Sequence, residues 1–116
     1  MRLINRNIVV IKAQQPFLDW INQHPDLELA SPVTMDELQQ DCTALLVPDL
    51  FGPDEVREFL AAYKPQLFEM ELESWHRDPE TWPQNRTEQL IDAWFTLEIH
   101  SMVWDTANEP IEIDDW

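Results

Sequence analysis

Glu98 and His100 are the side chains of this sequence best placed to do chemistry together. They stand two residues apart in Phe95–Trp104, a segment whose alternation of apolar and polar residues predicts a β-strand. On a strand both would project from one face, about 7 Å apart. A carboxylate beside an imidazole suits Zn, Mn or Fe. His76, with Asp78 or Glu71, could approach from the preceding helix and loop, so Glu98, His100 and His76 are the candidate metal ligands. The same spacing equally describes a half-exposed histidine bonded to its neighbour. No H-E-x-x-H or C-x-x-C pattern supports the metal reading.

Catalytic constellations are harder to assemble. Glu71 and Glu98 would acquire split pKa values if buried together, but nothing in the sequence makes them meet. Ser101 and His100, as strand neighbours, point to opposite faces and form no triad. Cys42 lacks a basic neighbour to turn it into a thiolate and reads as a capped, buried thiol. The balance is against an enzyme, and no cofactor is implied.

A third chemistry is recognition. The stretch from Glu69 to Asp105 holds two of the three histidines and four of the six tryptophans among many acids. Aromatic anchors within a charged rim have the composition of protein interfaces, and would also suit a cationic ligand. Trp75 and Trp94 fall on apolar helix faces and are expected in the core. Local pattern does not require burial of Trp82, Trp104 or Trp116. Trp82, Glu98, His100 and Trp104 are therefore the expected binding surface. Arg86 is expected to pair with Glu71, Glu73 or Glu98 and hold its loop to the sheet, and Arg77 to be solvated.

Charge narrows the partner. The 116 residues include 23 acids and 7 bases, a net charge of −16. Residues 67–116 carry 13 of the acids and two of the bases, −11 in all, against −5 for residues 1–66. Such a field repels nucleic acid and anionic membranes and attracts basic proteins. It is also compatible with solubility alone or with a salt-adapted host. A single cysteine excludes an intrachain disulfide and fits a reducing compartment. No run approaches the roughly 18 apolar residues of a membrane span. The apolar run Ile8–Ile11 is too short for a signal-peptide core, so a cytoplasmic protein is expected.

The elements that must position these residues follow from periodicity. One glycine, Gly52, and nine prolines exclude a glycine-rich phosphate loop and leave turns to Pro, Asn and Asp. Leu3–Ala13 predicts a long first strand, central where Ile8–Ile11 is apolar on both faces. Pro16 opens a helix whose face is Phe17, Trp20, Ile21 and His24, and Pro25 ends it. Thr34 and Glu37 form a capping-box pattern for a short helix, and Thr43–Val47 reads as a strand. A helix from Gly52 carries the stripe Val56, Phe59, Leu60 and Tyr63. Pro65 separates it from a second, with Phe68, Leu72 and Trp75 on one face and Glu69, Glu71 and Glu73 on the other. His76–Asn85 is a loop, Thr87 caps a helix to Trp94, and the strand Phe95–Trp104 follows. In that strand Phe95, Leu97, Ile99 and Val103 face one side, and Thr96, Glu98, His100, Met102 and Trp104 the other. Pro110–Ile113 could add an edge strand.

The order β-α-α-β-α-α-α-β predicts a single α+β domain over residues 1–116. Its three- or four-stranded sheet would be mixed, with helices mostly on one face. A β-α-β reading makes the first two strands parallel neighbours or near-neighbours, with the last strand antiparallel to the first.

Several segments together resemble a family of short acidic bacterial proteins of uncharacterised function. They are Pro16–Trp20, Leu46–Pro48, Phe68–Trp75, Trp82–Arg86, Ala93–Phe95 and Glu98–Asp105. The resemblance spans nearly the whole chain and implies a bacterial cytosolic origin, but no activity or site. The leading expectation is a non-enzymatic protein that binds another protein, a basic one being favoured by the charge, through an acidic, Trp-containing surface in residues 67–116. The alternatives are a metal-binding protein or metal-dependent enzyme using Glu98 and His100, and an inhibitor that mimics nucleic-acid charge. No direct contact with nucleic acid or membrane is expected.

Overall fold

The structure, a computed structural model, describes residues 1–23, 31–50 and 52–115. His24, Pro25 and Trp116 lie outside the described residues. The elements run β1 (Arg2–Leu3), β2 (Arg6–Ala13), α1 (Gln15–Gln23), α2 (Met35–Gln39) and β3 (Thr43–Pro48). They continue with α3 (Pro53–Ala61), α4 (Lys64–Glu73), α5 (Glu88–Trp94), β4 (Phe95–His100) and β5 (Trp104–Asp105). A 3-10 turn, Pro79–Thr81, interrupts the loop between α4 and α5. The α+β class and the order of helices and strands are as expected.

Local signals explain most boundaries. Pro16 falls in the first turn of α1, where its missing N–H costs nothing. The Thr34 side chain accepts a hydrogen bond from the Glu37 N–H and starts α2, and Thr87 does the same for the Leu90 N–H in α5. Pro65 sits in the first turn of α4, so it opens that helix and does not bend α3.

The central sheet has the order β3-β2-β4, and both of its ladders are antiparallel. This corrects the expected parallel pairing of the first two long strands and the mixed sheet built on it. Thr43 pairs with Ile11, so β3 begins near the end where β2 finishes. A β-α-β crossover needs a net traverse back along the sheet. The α1–α2 connection returns the chain to the end it left.

The two long predicted strands are also each divided. Arg2–Leu3 pairs with Trp104–Asp105 in a separate antiparallel ribbon. Ile8 pairs with His100 in the main sheet, a register that would place Leu3 opposite Asp105, yet Leu3 stands opposite Trp104. The first strand thus carries one extra residue between the two ladders, a bulge-like offset that ends the main sheet there. Pro110–Ile113 forms no strand, and Ile111 and Ile113 are exposed.

Alternation along β2 divides inside from outside. Asn7, Val9, Ile11 and Ala13 are buried under the helices, whereas Ile8, Val10 and Lys12 are only half-buried on the other face. Asn7 is the one buried polar side chain among the described residues, and its amide donates to the Leu50 carbonyl at 3.3 Å. Above the sheet Phe17, Phe68 and Phe95 meet in an aromatic core, with Phe17 4.7 Å and Phe68 5.6 Å from Phe95. Trp94 and Trp20 pack at its margin. A second cluster, Val9, Val47, Val56 and Leu60, seats α3 on the β2–β3 half.

Candidate binding surface

Glu98 and His100 do share a face of β4, the outer face that no helix covers among the described residues. His100 Nε2 lies 2.8 Å from Glu98 Oε1, and Lys12 Nζ lies 3.3 Å from Glu98 Oε2. Both neighbours lower the Glu98 pKa from the usual carboxylate range, His100 through its hydrogen bond first and Lys12 second. All three side chains are well exposed to solvent. The arrangement is a solvated Lys12–Glu98 ion pair on an edge strand, with His100 hydrogen-bonded to the same carboxylate.

The expected third ligands lie elsewhere. His76 Nδ1 accepts from the Asp78 N–H and lies 2.9 Å from Thr81 Oγ1, which organises the loop after α4. Asp78 in turn caps the 3-10 turn through the Glu80 N–H. Glu71 lines a recess with Ile11 and Phe95, on the helix-covered side of the sheet. Its pKa is raised by burial, with a hydrogen bond from Thr43 partly opposing the shift. Glu71 and Glu98 therefore lie on opposite faces and cannot form a carboxylate pair. Among the described residues no group of three His, Cys, Asp or Glu side chains could hold a metal ion. Cys42 is half-buried, with its thiol 3.4 Å from the Gln39 carbonyl.

The tryptophans also move. Trp82, expected on the binding surface, is only 8% exposed and belongs to the core. The loop folds back so that its indole N–H donates to the His76 carbonyl at 2.9 Å, which removes the cost of burying that polar group. Arg86 stacks over the indole at 5.8 Å, donates to the Pro83 carbonyl and pairs with Glu69 at 3.2 Å. Its loop-holding role is as expected, but with Glu69 as the carboxylate. Trp75 and Trp94 are partly buried against the core. Trp104 is exposed, on the terminal ribbon.

Four of the exposed apolar residues line a groove elsewhere, whereas others, among them Leu3, Met102, Trp104, Ile111 and Ile113, are exposed near the terminal ribbon and the C-terminal tail. Leu46, Phe59, Tyr63 and Met70 are between 37% and 51% exposed and line one groove with Leu67, about 310 Å³ in volume, between β3 and the α3–α4 pair. The Phe59 and Tyr63 rings meet at a tilt of 41°, with centroids 5.6 Å apart. The expected stripe of α3 is thus split, Val56 and Leu60 facing the core and Phe59 and Tyr63 the groove. A sequence signal for it exists. Phe59, Tyr63 and Met70 recur at helical spacing on both sides of Pro65, wider than one core contact requires.

Cations neutralise carboxylates near the helix and strand ends: Arg2 with Asp105, Lys12 with Glu98, Lys64 with Asp92 and Glu88, and Arg86 with Glu69. The Lys64 pKa is raised, chiefly by its bond to Asp92. No described helix is long and apolar enough to cross a membrane.

The chain matches no protein-family model, no curated protein and no solved structure.

Proposed function

We propose that this chain is a non-catalytic, cytoplasmic protein-binding domain whose acidic surface selects a basic partner protein. The supporting observation is a groove lined by the exposed apolar residues Phe59, Tyr63 and Met70, with Leu46 at its β3 rim, on a molecule of net charge −16. Apolar anchors within a charged surround give an interface both burial and selectivity. The carboxylate field raises the encounter rate with cationic surfaces and keeps nucleic acid away. The ionisable residues offer less to a reaction or a metal, because Glu98 is already matched by His100 and Lys12.

Immobilised full-length chain, challenged with extract of its own host, tests this reading. A small set of basic proteins should be retained, displaced by free chain and weakened by salt. Retention equal to that on polyglutamate, with nothing displaced by free chain, would overturn it.

A further inference from the structure

We infer that the free edge of β3 receives an extended, basic segment of the partner protein as an added strand, its alternate apolar residues seated in the groove beside α3 and α4. This rests on the protein-binding reading and names its seat and occupant.

The backbone makes the first argument. Among the described residues β3 pairs only with β2, so its outer edge presents unpaired N–H and C=O groups. Sheet edges are normally defended by charged side chains, bulges or a covering element. Thr43–Pro48 contains no charged residue, and only its last position, Pro48, is a residue that discourages pairing. A segment added there gains main-chain hydrogen bonds for affinity, and its side chains alternate between two faces. One of those faces lies over Phe59, Tyr63 and Met70.

Charge chooses the occupant. Asp41 and Asp49 flank β3 in the chain, Glu55 precedes Phe59 by one helical turn, and Glu73 follows Met70 by three residues. The cation nearest in register, Arg6 opposite Pro48, turns its guanidinium onto Asn5. Lys64 is held by Asp92 and Glu88. An acid thus flanks each end of β3 in the chain, with Arg57 of α3 as the cation nearest Phe59 in sequence. A second copy of this chain is the poorer occupant. Antiparallel pairing of two β3 edges would set Asp41 of each near Asp49 of the other and join two bodies of charge −16. A segment with Lys or Arg at its flanks meets the opposite sign at both ends.

The test uses full-length chain and labelled peptides with Lys at both flanks of six residues, matched to the six of β3, in which Thr alternates with Val, Ile or Phe. Binding is read by fluorescence anisotropy and mapped by amide chemical shifts. At least one peptide should bind, perturbing residues 43–48 and the groove faces of α3 and α4. N-methylation of alternate peptide amides in the bonding register should abolish binding, and Glu in place of Lys should do the same. Met70→Glu and Phe59→Ser, both at exposed positions, should each weaken binding by about tenfold or more while leaving the amide spectrum otherwise folded. Peptides that bind with shifts confined to the outer sheet face, or that tolerate N-methylation at every position, would overturn the edge assignment and leave the protein-binding reading standing. The edge assignment also falls, alone, if no peptide binds while a captured partner is retained equally by the Met70→Glu chain. Concentration-dependent dimerisation through β3 would make a second copy the occupant and overturn the basic segment. Failure of both the peptides and the capture experiment would remove the protein-binding reading as well.

Discussion

The two edges of the central sheet share one middle strand and are built differently. β4 presents Thr96, Glu98 and His100 on its outer face, and Lys12 of β2 reaches across to Glu98. Polar and charged side chains of this kind, Glu98 and Lys12 above all, let a sheet edge resist pairing with other chains. β3 presents Ala44, Leu46 and Pro48 on the same face and borders an apolar groove at its free side. The difference shows that neither strand position nor burial pattern decides whether an edge is guarded. Residue type at the outward positions does, together with what the neighbouring helices leave uncovered.

The largest expected effect asks which edge is more firmly seated. Phe95 fixes β4 in the aromatic core, and Phe95→Ala should cost about 3–5 kcal/mol. Val47 seats β3 in the smaller cluster, and Val47→Ala should cost about 2 kcal/mol. Urea unfolding at constant m measures both. The opposite order would make β3 the anchored edge and weaken the contrast. Next in size, a β4 stripped of charge by Glu98→Thr and His100→Val should acquire affinity for the peptides that β3 binds. If amide mapping finds no second site, the groove and not the missing charge makes β3 receptive. Leu46→Lys, at a 51% exposed position, adds a guard to β3. It should change stability by less than about 0.5 kcal/mol yet reduce peptide binding. A large loss of stability would instead make Leu46 a packing residue.

The smallest effects are pH responses of opposite sign. Glu71, hydrogen-bonded to Thr43 of β3, has a pKa raised mainly by burial. Its favourable contribution is complete below the usual carboxylate range and is lost as pH rises through the raised value. Glu71→Gln should therefore raise Tm at neutral pH, with the gain disappearing in acid. Glu98 on β4 has a lowered pKa, so its contribution is complete above the usual range and is lost as pH falls through the lowered value. Glu98→Gln should slightly lower Tm at neutral pH, and again the difference should vanish in acid. Two variants shifting Tm in the same direction at neutral pH would contradict the paired electrostatic picture.

Much of this was legible one residue at a time. The Thr34 and Thr87 caps, the alternation Phe95–Ile99 and the inward face Phe17–Ile21 follow from local hydrogen bonding and period, and the structure keeps them. The proximity of Glu98 to His100 was legible for the same reason. Trp82 was not. Its burial depends on a loop that brings the His76 carbonyl to its indole N–H and Arg86 over its ring, contacts that no periodicity encodes. The ends of the two long strands were equally hidden, because a one-residue offset is invisible until both partners are paired.

Composition and contacts within a few residues account for the charge, the single cysteine, the helix caps and which residues of each strand share a face. That the ladders among the described residues run antiparallel, that Glu71 and Glu98 lie on opposite faces, and that Phe59, Tyr63 and Met70 line a groove beside an unguarded edge came from the packing of the whole molecule. Those facts depend on which end of the sheet each connection returns to and on which faces the helices cover. Both are set by the balance of burial over the whole chain rather than by any segment of it.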